Sequence, residues 1–106
     1  MSVLGVIPSR YGSTRLPGKP LAPIRGKSLI RRVYEQAGKC RTLDWLCVAT
    51  DDSRIVEEIG KIGGRAVLTS PHHPSGTDRI AEAVEILETQ QQIHPEIVIN
   101  IQGDMP

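Results

Sequence analysis

Aromatic residues are nearly absent: they make up 3% of the 106 residues, and there is no phenylalanine. Aliphatic side chains must therefore build the core. The same scarcity speaks against a base-stacking surface for single-stranded nucleic acid. Cysteine is scarce too. Cys40 and Cys47 form neither a disulfide framework nor a metal-ligand spacing, so free, largely buried thiols in a reducing cytoplasm are expected. No stretch approaches the ~20 apolar residues that span a bilayer. The early apolar run, Val3 to Ile7, is too short for a secretory h-region and follows no basic segment. These absences predict a soluble, cytoplasmic protein with no membrane insertion. Its length suits one small domain, which buries about two-thirds of its unfolded surface.

Negative charge is missing from the first third. No Asp or Glu precedes Glu35, whereas Arg10, Arg15, Lys19, Arg25, Lys27, Arg31 and Arg32 all fall within residues 1–34. The net charge of +1 conceals this basic N-terminal third and an acidic remainder. Local positive excess favours a polyanionic ligand, although a solvated basic face has the same composition. The cations are interleaved with Pro8, Gly12, Ser13, Thr14 and Gly18. Glycine allows close backbone approach, consecutive N–H groups form anion nests, and Arg and Lys add charged donors. Residues 8–19 therefore read as a phosphate-holding loop.

Hydrophobic periodicity supplies the frame. Val3–Ile7 is a continuous apolar strand that Pro8 is expected to end, and residues 8–27 read as loop. Ser28 caps a helix through about Lys39, with Leu29, Ile30, Val33, Tyr34 and Ala37 on one face. Residues 46–50 form a second strand, and Asp51-Asp52-Ser53 offers cap chemistry. Ile55, Val56, Ile59 and Ile62 line the next helix, which Gly63-Gly64 stops. Residues 66–69 form a third strand. A helix follows from about Thr77 with Ile80, Ala81, Val84 and Leu87 inward, and residues 97–101 form a fourth strand. Buried strands alternating with amphipathic helices predict a parallel α/β sheet. Strands 3–7 and 97–101 are expected to be central neighbours, flanked by those near 46–50 and 66–69. The edge beside 97–101 then stays unpaired and invites association. Ligands in such sheets bind beyond the C-terminal strand ends, where the polar stretches 8–20, 69–79 and 102–106 converge.

Several motifs fail. Gly26-Lys27-Ser28 ends like a phosphate-binding P-loop, but Leu21 stands where the pattern needs glycine. No Gly-x-Gly-x-x-Gly is present. His72, His73 and His94 lack a zinc spacing, and no Gly-x-Ser-x-Gly accompanies the serines. Ser75-Gly76-Thr77-Asp78-Arg79 sits at a helix start. It serves as a cap, as a nucleotide-touching loop, or as both. Asp104 follows a strand and a glycine. An Asx turn accounts for it locally; opposite a phosphate loop it is placed to hold Mg²⁺ against phosphate oxygens.

Residues 7–21, Ile-Pro-Ser-Arg-Tyr-Gly-Ser-Thr-Arg-Leu-Pro-Gly-Lys-Pro-Leu, resemble the phosphate loop of the 3-deoxy-manno-octulosonate (Kdo) cytidylyltransferases. Ala49-Thr50-Asp51-Asp52, His73-Pro74-Ser75-Gly76-Thr77-Asp78-Arg79 and Asn100-Ile101-Gln102-Gly103-Asp104 are similar to that family's next motifs, in order. The resemblance implies a Rossmann-like three-layer nucleotidyltransferase fold, of which residues 1–106 form the N-terminal half. It implies transfer of CMP from CTP to Kdo, releasing pyrophosphate, with Mg²⁺, ahead of lipopolysaccharide assembly. It implies that Arg10, Ser13, Thr14, Arg15 and Lys19 contact the CTP phosphates, that Pro8 and Gly12 also bind the nucleotide, and that Ser75, Gly76, Thr77 and Arg79 lie along it. Gln102 would face nucleotide or sugar and Asp104 would hold Mg²⁺, with Arg10, Lys19 and Asp104 closest to the chemistry. A homodimer is implied as well. Met105 departs from the family's glutamate after that aspartate. The family runs to about 250 residues, the size of a larger single domain. The sugar pocket, a second metal-binding aspartate and the dimer surface are expected in the remainder, so residues 1–106 alone are expected to turn over near background. The alternative is a catalytically incomplete nucleotide-binding fragment or structural remnant.

Overall fold

The computed structural model describes residues 2–9, 23–24, 27–72 and 76–101. Strand β1 (Val3–Ser9) leads through a two-stranded antiparallel pair, β2 (Pro23–Ile24) and β3 (Lys27–Ser28), to helix α1 (Leu29–Ala37). Then follow β4 (Trp45–Thr50), α2 (Ser53–Lys61), β5 (Ala66–Leu68), α3 (Gly76–Gln90) and β6 (Ile97–Asn100). The four longer strands form one parallel sheet in the order β5-β4-β1-β6.

The sheet is parallel because each connection carries a helix that needs an apolar face to cover. Alternate side chains of β1 point to opposite faces. Leu4 and Val6 meet Cys47, Ala49, Val67, Ile80, Ala83, Leu87 and Ile93 on the α3 side. Ile7 joins Val48, Leu29, Ile30, Val33, Ile55 and Ile59 on the α1–α2 side. Every one of these is buried, and each large aliphatic contributes about 1.5–3 kcal/mol by leaving water. Gly5 has no room for a side chain: a Cβ there would lie 2.9 Å from the tips of both Ile101 and Leu43.

Helix ends follow their local chemistry. Ser28 caps α1 by accepting from the Arg31 N–H, and its hydroxyl donates to Glu58 Oε2 at 2.7 Å, joining α1 to α2. Asp52 caps α2, accepting from the Arg54 N–H at 2.8 Å and pairing with the Arg54 guanidinium at 2.7 Å. The Arg54 hydrogen bonds hold the Asp52 carboxyl below its usual range. At the far end of α2 the Gly63 N–H reaches Gly60 O (3.1 Å) and the Gly64 N–H reaches Ile59 O (2.9 Å), with Gly63 at φ +73°. This is a Schellman close.

Five expectations change. Pro8 does not end β1, which runs on to Ser9 with Pro8 opposite Ala49. Val6 accepts from the Ile101 N–H, so the backbone groups of residues 4, 6 and 8 face the β6 side. The ladder with β6 closes at Val6 opposite Asn100, and Pro8 lacks its donor where no described strand needs one. Residues 8–27 are not all loop, since β2 and β3 pair across Arg25-Gly26. The strand β6 neighbours β1 as expected, but it is an edge among the described residues, and β4 takes the central place. The inward face of α3 uses Ile80, Ala83 and Leu87, while Ala81 is exposed. Of the two free thiols, Cys47 is buried but Cys40 is exposed. The exposed edge is real: Ile97, Val98 and Ile99 are 39–40% exposed.

Gly63→Ala should lower stability by about 1 kcal/mol, because the left-handed turn penalises a Cβ. Gly60→Ala, in a helical position with nothing within 4 Å of the new Cβ, should raise it by about 0.5–1 kcal/mol. Urea unfolding reads both, and equal signs would contradict the assigned turn. Burial pushes the Cys47 thiol up from 9.0 to about 12. Its contribution is full below the unfolded-state value and is lost as pH rises through the folded one. The stability advantage of the parent over Cys47→Ala should therefore shrink between about pH 9 and pH 11 in urea melts.

Candidate active site

The parallel register brings strand ends to one edge. Ser9 stands opposite Thr50, and Thr50 opposite Leu68. On the other side of β1, Val6 stands opposite Asn100. The chain proceeds from β1 outward to β4 and β5, then returns to the far side of β1 as β6. The reversal of strand order therefore lies between β1 and β6, where ligands of such sheets bind. Residues 10–22 continue from the end of β1 and residues 102–106 from the end of β6, so the two polar stretches leave from neighbouring strands.

Four of the expected site residues are described. Pro8 and Gly76 meet: a Cβ built on Gly76 would sit 3.4 Å from Pro8 Cγ. The start of α3 therefore lies against the end of β1, at a spacing that a Cβ would meet as ordinary van der Waals contact. Thr77 is exposed, and Asp78 lies in the first turn, where a carboxylate suits the helix dipole. Arg79 is only 3% exposed. Its Nη1 donates to Thr69 Oγ1 at 2.6 Å and to Ser70 O at 3.0 Å. Arg10, Gly12, Ser13, Thr14, Arg15, Lys19, Ser75, Gln102 and Asp104 lie outside the described residues.

Three further residues belong to this edge. Thr69, 4% exposed, uses both its N–H (2.7 Å) and its hydroxyl (3.1 Å) on Thr50 O. Ser70 donates its N–H to Glu82 Oε1 at 3.0 Å. The Arg79–Glu82 spacing of three places both side chains on one face of α3, and that spacing was the available sequence signal. The buried Thr69 had none beyond its place after a strand.

Part of the basic third is committed elsewhere. Arg31 Nε lies 4.0 Å from Glu58 Oε2, the carboxylate that also holds Ser28. Among the described residues no group of three or more His, Cys, Asp or Glu side chains could hold a metal ion, and no helix there is long and apolar enough to cross a membrane.

Residues 4–106 match the cytidylyltransferase family. The whole chain is 54% identical to a 3-deoxy-manno-octulosonate cytidylyltransferase of Thermodesulfovibrio yellowstonii and covers 42% of it. It is 51% identical to an 8-amino-3,8-dideoxy-manno-octulosonate cytidylyltransferase of Shewanella frigidimarina, again over the whole chain and 42% of the relative. Among solved structures, a CMP:2-keto-3-deoxy-manno-octonic acid synthetase complexed with CTP matches all of this chain at a TM-score of 0.87 and 44% identity. That match covers 42% of the solved chain. The chain thus spans about two fifths of the length of these relatives. With its parallel sheet, its helices on both faces and its match over residues 4–106, the chain belongs to the cytidylyltransferase family.

Proposed function

We propose that this chain forms the CTP-binding part of a cytidylyltransferase that transfers CMP from CTP to Kdo, giving CMP-Kdo and pyrophosphate. The observation that supports it best is the strand-order reversal between β1 and β6. In the sequence of this family member, residues 10–22 and 102–106, which carry the cations and Asp104, follow those two paired strands. In this reading Arg10, Ser13, Thr14, Arg15 and Lys19 bind the triphosphate. Ser75, Gly76 and Thr77 lie along the nucleotide, and Gln102 faces nucleotide or sugar. A hydroxyl of the sugar attacks the α-phosphorus and gives up its proton to solvent, the bond to the bridging oxygen breaks, and pyrophosphate leaves with that electron pair. The protein contributes position and charge neutralisation. Asp104 would hold Mg²⁺, which when bound shields the charge of the phosphate oxygens. A cytoplasmic homodimer acting ahead of lipopolysaccharide assembly belongs to the same proposal. Kdo and its 8-amino analogue are the acceptors named for the relatives at 54% and 51% identity.

Calorimetry tests the nucleotide half of the reading. Lys19→Ala should weaken CTP binding about tenfold or more, since a charged hydrogen bond contributes about 1.5–3 kcal/mol. Asp104→Asn should spare metal-free binding and reduce the gain from Mg²⁺. Unchanged affinity in Lys19→Ala would remove residues 8–19 from the phosphate site. Pyrophosphate release with Kdo or 8-amino-Kdo distinguishes the acceptors. CTP binding with background release marks a nucleotide-binding part without the complete sugar site.

A further inference from the structure

A continuous hydrogen-bonded brace runs beneath the candidate site. Thr50 O, at the end of β4, accepts both the N–H and the hydroxyl of Thr69. The Thr69 hydroxyl in turn accepts from Arg79 Nη1 at 2.6 Å, and the same nitrogen reaches Ser70 O. Ser70 is held from its other side by Glu82. Thr50, Thr69 and Arg79 are 0%, 4% and 3% exposed. A buried guanidinium is costly to desolvate, and here Nη1 is spent on the chain itself. Its mechanical effect is specific. It ties the first turns of α3 to the ends of β4 and β5, and the start of α3 rests on Pro8 at the end of β1. The placement of the start of α3 against the strand ends is thereby fixed from below.

We propose that Thr69 and Arg79 are positioning residues for the nucleotide: Arg79 acts through Thr69, fixing the start of α3 against the strand ends, rather than by touching phosphate. This rests on the CTP-binding reading above. A displacement of about 1 Å at such a site is enough to matter by an order of magnitude or more.

The test is a double-mutant cycle in CTP affinity, measured by calorimetry well below the melting temperature of each variant. Thr69→Val and Arg79→Gln should each weaken CTP binding about tenfold, and the double variant also about tenfold, because both remove one brace. Thr69→Ser, which keeps the hydroxyl, should bind like the parent. Losses that multiply to about a hundredfold would overturn the proposal, as would a loss in Arg79→Gln with none in Thr69→Val. A lowered melting temperature with unchanged affinity would reduce the brace to a stability element and also overturn it. Should Thr69→Val fail to fold, Glu82→Ala, which removes the acceptor of the Ser70 N–H, replaces it with an expected loss of about threefold, and parent affinity there would contradict the brace. A parent chain that does not bind CTP overturns the proposed function and this inference together; a binding parent with indifferent variants overturns the inference alone.

Discussion

Everything in this fold hangs on β1. It is hydrogen-bonded on both edges, to β4 along Leu4–Ser9 and to β6 along Val3–Val6. It is also covered on both faces, by α3 on one and by α1 and α2 on the other. A strand so enclosed can present nothing sideways. At its C-terminal end Pro8 lies against the start of α3. The candidate site is located by that enclosure. The polar stretches 10–22 and 102–106 depart from β1 and its neighbour because parallel strands must end on one side.

The frame was legible because both faces of the sheet are buried. Continuous apolar runs as short as Val3–Ile7 and Leu46–Thr50 suit a strand covered on both faces and little else. The 3.6-residue stripes of Leu29, Ile30 and Val33 or of Ile55 and Ile59 settle their helices. What stayed hidden has physical reasons. Pro8 looks like a terminator until the alternation of backbone groups shows that its missing donor faces past the paired end of β6. Ala81 and Ala83 differ only by a rotation along one helix, too fine for periodicity to resolve in a residue so small. The short β2–β3 pair contains two residues per strand, and its signal is confined to the Arg25-Gly26 connection. The brace joins Thr69 to Arg79 and Ser70 to Glu82, ten or more residues apart through a loop, so beyond the Arg79–Glu82 spacing no local pattern encodes it.

Charge also reads differently once folded. The basic first third is not a free reservoir for an anion, because Arg31 is turned toward Glu58, which also takes the Ser28 hydroxyl and lies 3.9 Å from Lys61 Nζ. That cluster joins α1 to α2. Likewise Asp52, inside a stretch that resembles a family motif, is occupied as a helix cap and as the partner of Arg54. A shared motif thus mixes residues that build the edge with residues that face the ligand.

If the C-terminal end of β1 and those of its sheet neighbours, β6 included, form the nucleotide site with the start of α3, CTP must leave its mark there and nowhere else on the sheet. Amide chemical-shift mapping during a CTP titration tests this residue by residue. Shifts should concentrate at Ser9, Thr50, Thr69, Gly76 and Thr77 and be small at Asp44, Gly63, Arg65 and Glu96, which lie at the opposite end of the sheet. Saturable shifts centred on Asp44, Arg65 and Glu96, with Ser9 and Gly76 unmoved, would contradict it.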